Sequence, residues 1–233
     1  MQLLRDKVKS FDQFPFTIPA IRTLDDLPLD PGMTFFLGEN GTGKSTLVEA
    51  IAIAAGFNPE GGNKNLRFAA RPSESNLHSV LRLVRQPRRE GAGFFLRAES
   101  MFNLATQVEE QNLAAYGWEA LHERSHGEAF LWVVQNRFPP RGLYIMDEPE
   151  SALSPQRELA LLRLLVDQVR SGSQFIIATH SPILLAYPRA LLYELGPQGI
   201  SQTTYEDTEH YTITRAFLQD PNRMLRYLLD DGE

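Results

Sequence analysis

The chain has 233 residues, of which 42% are hydrophobic, and this is enough to bury one α/β core with a small lobe attached. It has no cysteine, which excludes a disulfide framework and a thiolate metal site, and its net charge of −6 provides no overall attraction to nucleic acid or anionic lipid. It also lacks a run of about 18 apolar residues and a signal-peptide core, so we expect a soluble, cytoplasmic protein.

The first third of the chain predicts a phosphate-binding loop between a strand and a helix. Residues 1–32 are rich in β-forming residues and interrupted by prolines, so we expect short strands beside the main sheet. Met33–Leu37 is a buried strand by composition, and Thr46–Ala52 has the pattern of a helix. Between them, Gly38–Ser45 fits the P-loop pattern G-x-x-x-x-G-K-[ST] at every fixed position. A chance Gly-rich turn is the alternative, and the flanking strand and helix argue against it.

The spacing within this loop has a chemical reason. Backbone N–H groups must surround the phosphates, so Gly41 and Gly43 supply positive φ angles without a Cβ atom. The Lys44 ammonium can contact the phosphates, and the Ser45 hydroxyl can bind Mg²⁺. The residues expected to bind ATP here are Asn40, Gly41, Thr42, Gly43, Lys44, Ser45 and Thr46.

The middle of the chain predicts a β-hairpin followed by a helical lobe. Residues 78–85 alternate as in a strand, residues 86–93 have turn composition, and Phe94–Ala98 reads as the returning strand. From residue 100 to about residue 138 the pattern is helical and predicts a small lobe.

A cluster of arginines lies in and beside the predicted hairpin turn. Arg82, Arg85, Arg88 and Arg89 fall within eight residues. They are either a solvated turn paired with nearby acids or, in a dimer, a basic surface for a phosphate backbone or an acidic partner. Net charge does not decide between these, because screening over about 8–10 Å makes local charge dominate.

Ser125-His126-Gly127-Glu128 precedes the apolar stretch 130–134 and has two compatible interpretations. The pattern S-x-x-E before an apolar run is a helix capping box. A helix N-terminus opened by serine and glycine is also a good anion site. The helix is expected to end at Phe138-Pro139-Pro140.

Two adjacent carboxylates follow a second buried strand. Gly142–Met146 is a short apolar run suited to a parallel strand, and Asp147 and Glu148 come at its carboxyl end, where open α/β sheets bind ligands. Without the P-loop, Asp-Glu-Pro would be an ordinary turn. With it, we expect Asp147 to bind the metal and Glu148 to orient or deprotonate the attacking water.

The last third predicts a helix, a strand and an acidic tail. A helix begins at Ser154-Pro155 and ends at Ser171-Gly172, with one face formed by Leu159, Leu162, Val166 and Val169. The buried strand Gln174–Ala178 follows, and His180 at its end is expected to contact the γ-phosphate, although a lone strand-end histidine is usually structural or solvated. The acidic tail is expected to form a helix around residues 217–229.

In this order the motifs resemble those of the ABC-type ATPases: a P-loop, a Ser-Gly signature at Ser125 and Gly127, a strand ending in Asp-Glu, and a strand-end histidine. The resemblance covers about Met33 to Pro182. It implies a P-loop NTPase fold with a mostly parallel central sheet flanked by helices, an N-terminal antiparallel β portion and a small helical lobe. It also implies ATP and Mg²⁺ as cofactors, with Lys44, Glu148 and His180 acting in catalysis.

The resemblance further implies a head-to-tail dimer that encloses ATP. Ser125 and Gly127 of one subunit would contact the γ-phosphate held by the other, and residues 151–153 would cross the interface. Glu99 stands where the family usually has a glutamine that senses Mg²⁺ and water, which makes it a candidate metal residue and a departure from the family pattern.

The amino-acid sequences of these motifs are similar to those of the non-transport branch of the family, which includes SMC-like, RecF-like and OLD-like ATPases and many small predicted ATPases. About 80 residues separate the P-loop from the signature, too few for an SMC coiled coil, and the 33 residues after Ile200 cannot hold an OLD-type second domain. We therefore predict a single ATPase domain over residues 1–233 that acts on nucleic acid or a partner protein. The alternatives are the nucleotide-binding subunit of a membrane transporter and an inert nucleotide-binding partner.

Overall fold

The structure is a computed structural model that describes residues 1–64, 75–84, 92–98 and 125–229. The arginines at 85, 88 and 89, Glu99 and most of the predicted helical lobe lie outside these residues. The regular elements are β1 (Gln2–Leu3), α1 (Pro19–Arg22), β2 (Met33–Leu37), α2 (Lys44–Ala54), β3 (Gly62–Asn63), β4 (Leu81–Arg82), β5 (Gly93–Arg97), α3 (His126–Arg137), β6 (Leu143–Asp147), α4 (Pro155–Arg170), β7 (Gln174–Ala178), α5 (Pro182–Leu185), β8 (Leu191–Gly196), β9 (Gly199–Thr203), α6 (Glu209–Gln219) and α7 (Pro221–Leu229).

Seven strands form the central sheet in the order β3-β5-β6-β7-β2-β8-β9. The five inner strands are parallel to one another, whereas β3 and β9 at the edges pair antiparallel. This confirms the predicted α/β class with a mostly parallel sheet. None of the helices in the described part of the chain combines the length and apolar character that crossing a membrane requires.

Alternate residues of each inner strand enter two separate cores, one on each face of the sheet. In β2, Phe36 joins one core while Phe35 and Leu37 join the other. Helix α2 packs on the first face, and α3, α4 and α5 pack on the second. Because both faces are covered, β2, β5, β6 and β7 are largely apolar and could be recognised in the sequence, whereas β8 was not predicted.

The register of the inner strands brings three connecting segments to one level. Ala178 at the end of β7 pairs with Phe36 of β2 on one side and with Asp147 of β6 on the other. The P-loop, the Asp147-Glu148 pair and His180 therefore all leave the sheet at the same carboxyl edge. Strand β7 lies between the other two, so His180 lies between the phosphate loop and the carboxylates.

Two predictions about strands were wrong: the β-hairpin between residues 78 and 98, and the several short strands in residues 1–32. Strand β4 is two residues long and pairs antiparallel with β1, forming the N-terminal antiparallel portion, rather than a hairpin with β5. Strand β5 pairs with β3 and β6 inside the main sheet, and its residues 93–96 are buried. The apolar stretch Phe94–Leu96 is suited to the interior of a parallel sheet, which explains why β5 is not in an exposed hairpin. Residues 1–32 contain β1 and the short helix α1 rather than several strands.

The helices mostly match their predicted ends, but the buried stripe of α4 differs. Leu161 and Leu165 are its fully buried leucines, whereas Leu159 is 58% exposed and Leu162 is only partly buried. Adjacent leucines at positions 161–162 and 164–165 create two overlapping helical stripes, so the pattern alone selected the wrong one.

The acidic tail forms two helices rather than one. Helix α6 begins after Thr208, whose hydroxyl oxygen accepts a hydrogen bond from the Tyr211 N–H at 3.2 Å. Pro221 starts α7, so the two helices meet at Asp220-Pro221. Both helices expose large apolar side chains, among them Ile213, Leu218, Leu228 and Leu229.

Candidate active site at the carboxyl edge of the sheet

The P-loop wraps around the side chain of Lys44. Gly38, Gly41 and Gly43 have φ angles of 135°, 82° and 96°, and Gly43 is the N-cap of α2. The Lys44 ammonium donates hydrogen bonds to the carbonyl oxygens of Gly38 and Glu39, both at 2.9 Å. The loop is thus curled around the lysine.

The glycines of the loop are required for different reasons. A Cβ atom on Gly43 would lie 2.9 Å from the Ile18 side chain, and one on Gly38 would collide with the Leu195 carbonyl. A Cβ atom on Gly41 would meet nothing within 4 Å, so that position requires glycine only for its positive φ.

The lysine is held in a partly dry environment. Lys44 is 4% exposed, and burial lowers the pKa of its ammonium. The negative charges of Glu148, Asp147 and Glu150 oppose that shift of the lysine pKa. A buried cation that faces three carboxylates favours the binding of an anion carrying its own counter-cation, such as a metal–triphosphate complex.

The side chains of Ser45 and Asp147 meet directly. The Ser45 hydroxyl donates to Asp147 Oδ1 at 3.0 Å, across 102 residues of sequence. Arg97, which pairs in register with Asp147 on the neighbouring strand, places Nε 3.6 Å from Asp147 Oδ2. The Arg97 guanidinium also donates to Glu49 of α2 at 2.8 Å. Asp147 is therefore a buried carboxylate held from two sides.

These donors fit Mg²⁺. A hydroxyl and a carboxylate are hard oxygen ligands, and Mg²⁺ is usually held by one or two protein oxygens together with substrate phosphates and water. Within the described ranges, no group of three or more His, Cys, Asp or Glu side chains is arranged to hold a metal ion. The Ser45 hydroxyl and the Asp147 carboxylate are thus two described oxygen donors that could bind such a metal.

Glu148 has an unusual backbone conformation. Its φ and ψ angles are 48° and 55°, in the left-handed region that a residue with a side chain rarely adopts. Its N–H donates to the Ala178 carbonyl at 2.9 Å, which ties the turn to β7. This conformation leaves the carboxylate 36% exposed, with Oε1 3.6 Å from Nε2 of His180. The carboxylate faces the open side of the site, where water could reach it.

His180 is held by partners on two elements. Its Nδ1 lies 3.2 Å from Nε2 of His210 on α6, and its backbone N–H donates to the Glu150 carboxylate. Burial lowers the pKa of His180, and Lys44 and His210 lower it further against an opposing effect of Glu148. Burial likewise raises the pKa of Glu150. The histidine is therefore neutral near pH 7, with a fixed ring orientation.

Comparisons with known proteins agree with this arrangement. A family model described as "AAA domain, putative AbiEii toxin, Type IV TA system" matches residues 129–186, and one described as "AAA domain" matches residues 7–110. The matched stretches contain the P-loop, the Asp147-Glu148 pair and His180, which the sheet brings to one edge. These matches are consistent with the ABC-type P-loop ATPase superfamily.

Individual relatives of this chain are distant. The hemin import ATP-binding protein HmuV of Streptomyces coelicolor is 28% identical over 170 residues, which cover 64% of this chain and 60% of HmuV. The chain thus spans less than two thirds of that curated relative. Among solved structures, the SMC head domain from Thermotoga maritima is 16% identical with a TM-score of 0.42, covering 76% of this chain and 92% of that one. A nucleotide-free ATP-binding cassette from an ABC transporter is 19% identical with a TM-score of 0.42, and the match covers 86% of this chain and 90% of that one.

The predicted signature segment lies at the start of α3. Ser125 is the N-cap, and it forms the predicted capping box with Glu128, which accepts the Ser125 N–H at 3.0 Å. A Cβ atom on Gly127 would lie 2.9 Å from both the Ala152 carbonyl and the Arg157 guanidinium. Arg157 also forms an ion pair with Glu128 at 2.9 Å. The signature therefore packs against the short 3₁₀ turn Pro149–Ala152 and α4 of its own chain.

The remaining predicted residues have more ordinary positions. Thr42 donates its hydroxyl to the Glu39 carbonyl at 2.8 Å, which helps close the loop, and Asn40 is exposed. Thr46 is half-buried in the first turn of α2. Glu99 lies outside the described residues, so its role stays a prediction.

Sequence reasoning missed four residues at this edge: Glu49, Arg97, Glu150 and His210. Arg97 carried a signal, since a charged residue that ends a buried strand needs a partner at the sheet edge. Glu49 also carried one, because it follows Ser45 by one helical turn and shares its face. Nothing local marked His210, which reaches the site only through the packing of α6.

Proposed function

We propose that this ATPase binds ATP with Mg²⁺ and hydrolyses it by directing a water molecule at the γ-phosphate. The observation that carries this proposal is the 3.0 Å contact between the Ser45 hydroxyl and Asp147 Oδ1. It joins the phosphate loop to the carboxylate pair at a single point, with Lys44 and His180 beside them.

The chain's own residues supply each step. Backbone N–H groups of the loop and the Lys44 ammonium bind the phosphates, and Ser45 and Asp147 hold the metal. Bound Mg²⁺ would act as a Lewis acid and stabilise the negative charge that develops on the phosphate oxygens. The Glu148 carboxylate orients the water and accepts its proton, and His180 donates a hydrogen bond to the γ-phosphate.

A second copy of the chain would complete the site. Gly127 is buried against Ala152, which places the exposed Ser125 near the 151–153 loop of the same protomer. In a head-to-tail dimer these residues would face the partner's P-loop and place Ser125 and Gly127 at the enclosed γ-phosphate. A helix N-terminus with an exposed serine is suited to that anion.

The test is Glu148→Gln, which keeps the shape of the side chain and removes its basicity. Hydrolysis should slow by at least about 100-fold, the scale of a lost general base. ATP should still bind, and an ATP-dependent dimer should accumulate because hydrolysis no longer separates the subunits. Phosphate release and light scattering with Mg-ATP measure the two effects.

A matched control is Glu206→Gln, an exposed glutamate in the 3₁₀ turn Tyr205–Asp207, which should behave as wild type. If Glu148→Gln hydrolysed ATP at the wild-type rate, the Glu148 carboxylate would have no part in catalysis. A variant that hydrolyses slowly, binds ATP and stays monomeric would refute the enclosed-nucleotide dimer.

The purpose of hydrolysis is also a proposal. The amino-acid sequences of Ser125–Glu128 and Thr179–Pro182 support a stand-alone ATPase that acts on nucleic acid or a partner protein. The match to a hemin import ATP-binding protein favours a second candidate, the nucleotide-binding subunit of a transporter. Copurification with a multi-span membrane protein would select the second, and stimulation of hydrolysis by DNA or RNA would select the first.

A further inference from the structure

His210 is a second histidine at the catalytic edge, and no nucleotide motif contains it. It is the second residue of α6, and its Nε2 lies 3.2 Å from Nδ1 of His180, 30 residues earlier. The ring centroids are 5.4 Å apart, with the planes tilted by 45°. The two nitrogens face each other edge to edge, so one proton must lie between them.

The far side of His180 decides which histidine carries that proton. Its Nε2 lies 3.6 Å from Glu148 Oε1, and an ionised carboxylate only accepts hydrogen bonds. That neighbour favours a proton on Nε2 of His180. A neutral imidazole has one N–H, so Nδ1 is then the acceptor and His210 must donate to it through its own Nε2–H.

The surroundings keep both rings neutral, as this assignment requires. Burial and the charge of Lys44 lower the pKa of His210 as well as that of His180. Nδ1 of His210 and Nε2 of His180 are both buried without a hydrogen-bond partner in the described part of the chain, and of the two only Nε2 of His180 lies beside a carboxylate that favours an N–H there.

Local structure fixes His210 in place. Thr208, the N-cap two residues before the histidine, is fully buried. It donates its hydroxyl to the Tyr205 carbonyl at 2.7 Å and accepts the Tyr211 N–H, which fixes the start of α6. On the other side, Glu150 holds the backbone of His180. Both partners of the histidine pair are therefore anchored independently.

We propose that His210 is a positioning residue that holds His180 in the Nε2–H tautomer and aims that N–H at the phosphate site. This inference rests on the proposed function, because it gives His180 a γ-phosphate oxygen to bind. Without the donor on α6, His180 can place its proton on Nδ1, and Nε2 then presents a lone pair to Glu148 and to the phosphate. Both contacts become repulsive, and the transition state loses a hydrogen bond.

Two substitutions separate this role from simple packing. The side chain of His210→Gln has an N–H that can donate to His180, whereas that of His210→Glu is ionised and only accepts. Arg215→Gln, on an exposed position of the same helix, is the matched control. The readouts are the imidazole ¹⁵N shifts of His180 in protein labelled at histidine, recorded without nucleotide at pH 7.5, and the kcat and KM for Mg-ATP.

Wild type and His210→Gln should both show the Nε2–H tautomer of His180, and kcat should stay within about threefold of wild type. His210→Glu should move the proton to Nδ1 and lower kcat by about 10–100-fold, the usual effect of losing the group that orients a functional histidine, with little change in KM. Arg215→Gln should match wild type in both readouts.

An Nδ1–H tautomer in the wild type would overturn the proposal. So would equal losses of kcat in His210→Gln and His210→Glu, because these would indicate packing rather than hydrogen bonding. If the wild type hydrolyses no ATP, the proposed function fails, and the ¹⁵N shifts of the same samples still decide the tautomer.

Discussion

Replacing Glu148 by glycine should leave the fold as stable as the wild type, or more stable, while it abolishes ATP hydrolysis. Glu148 has a φ of 48°, and the left-handed conformation costs a non-glycine residue about 1–2 kcal/mol. Glycine relieves that cost but loses about 0.5–1 kcal/mol through the greater freedom of the unfolded chain. The free energy of unfolding should therefore rise by about 0–1.5 kcal/mol.

Little else at this position offsets that gain. The Glu148 N–H still donates to Ala178 in the glycine variant, because the contact belongs to the backbone. The side chain is 36% exposed and faces a neutral histidine at 3.6 Å, a contact that contributes little to stability. Loss of the carboxylate removes a negative charge next to Asp147 and one that faces the buried Lys44 ammonium, and these two effects on stability have opposite signs.

Arg141 provides a matched control. It is an exposed residue in the turn before β6 and also has a positive φ, 62°. Arg141→Gly should give a similar gain in the free energy of unfolding and leave hydrolysis unchanged. Urea unfolding with unchanged m-values gives the stabilities, and phosphate release gives the activity. If Glu148→Gly lost more than about 1 kcal/mol while Arg141→Gly gained, the strain at Glu148 would not be the dominant backbone effect. Retained hydrolysis would refute its role as the base.

Three other predictions concern binding and pH. Lys44→Ala should weaken ATP binding by about 3 kcal/mol, or about 100-fold, which is the scale of hydrogen bonds to a charged group. Titration with a fluorescent ATP analogue measures this change. An unchanged affinity would show that the loop does not bind ATP. Burial lowers the pKa of His180 and His210, so as pH falls below about 6.5 these histidines are protonated in the unfolded chain before they are protonated in the folded protein. Between pH 7.5 and 5.5 the Tm of the wild type should therefore fall further than the Tm of His210→Gln. A Tm difference that does not change with pH would contradict a neutral pair. If nucleic acid is the partner, replacing Arg88 and Arg89 by Glu should weaken its binding at low salt without changing basal hydrolysis; filter binding tests this, and no binding by the wild type to any DNA or RNA would favour a protein partner.

The elements that could be predicted are those whose signals are local. The strand at Met33–Leu37 and the loop after it follow from composition and a fixed pattern, and the structure reproduces both. Asp147 and His180 could be expected at one edge, because the carboxyl ends of parallel strands meet there. Their chemical roles stay predictions, since geometry alone does not measure turnover.

The elements that could not be predicted depend on long-range packing. The partner of β4 is β1, about 80 residues away, and no turn signal in the sequence specifies that pairing. The pattern of α4 permits two leucine stripes, and only contact with the sheet selects Leu161 and Leu165. His210 is an extreme case, because its function depends on where α6 docks rather than on its neighbours in sequence.

The position of His210 changes what counts as the boundary of the catalytic unit. A shortened protein that ends near Thr203 would keep the whole sheet, the P-loop, the carboxylate pair and His180, and any motif search would score it as intact. It would nevertheless lack the donor that we assign to Nδ1 of His180. Trimming the amphipathic helices to improve solubility would then be an active-site deletion, detectable as a fall in kcat in a well-folded protein.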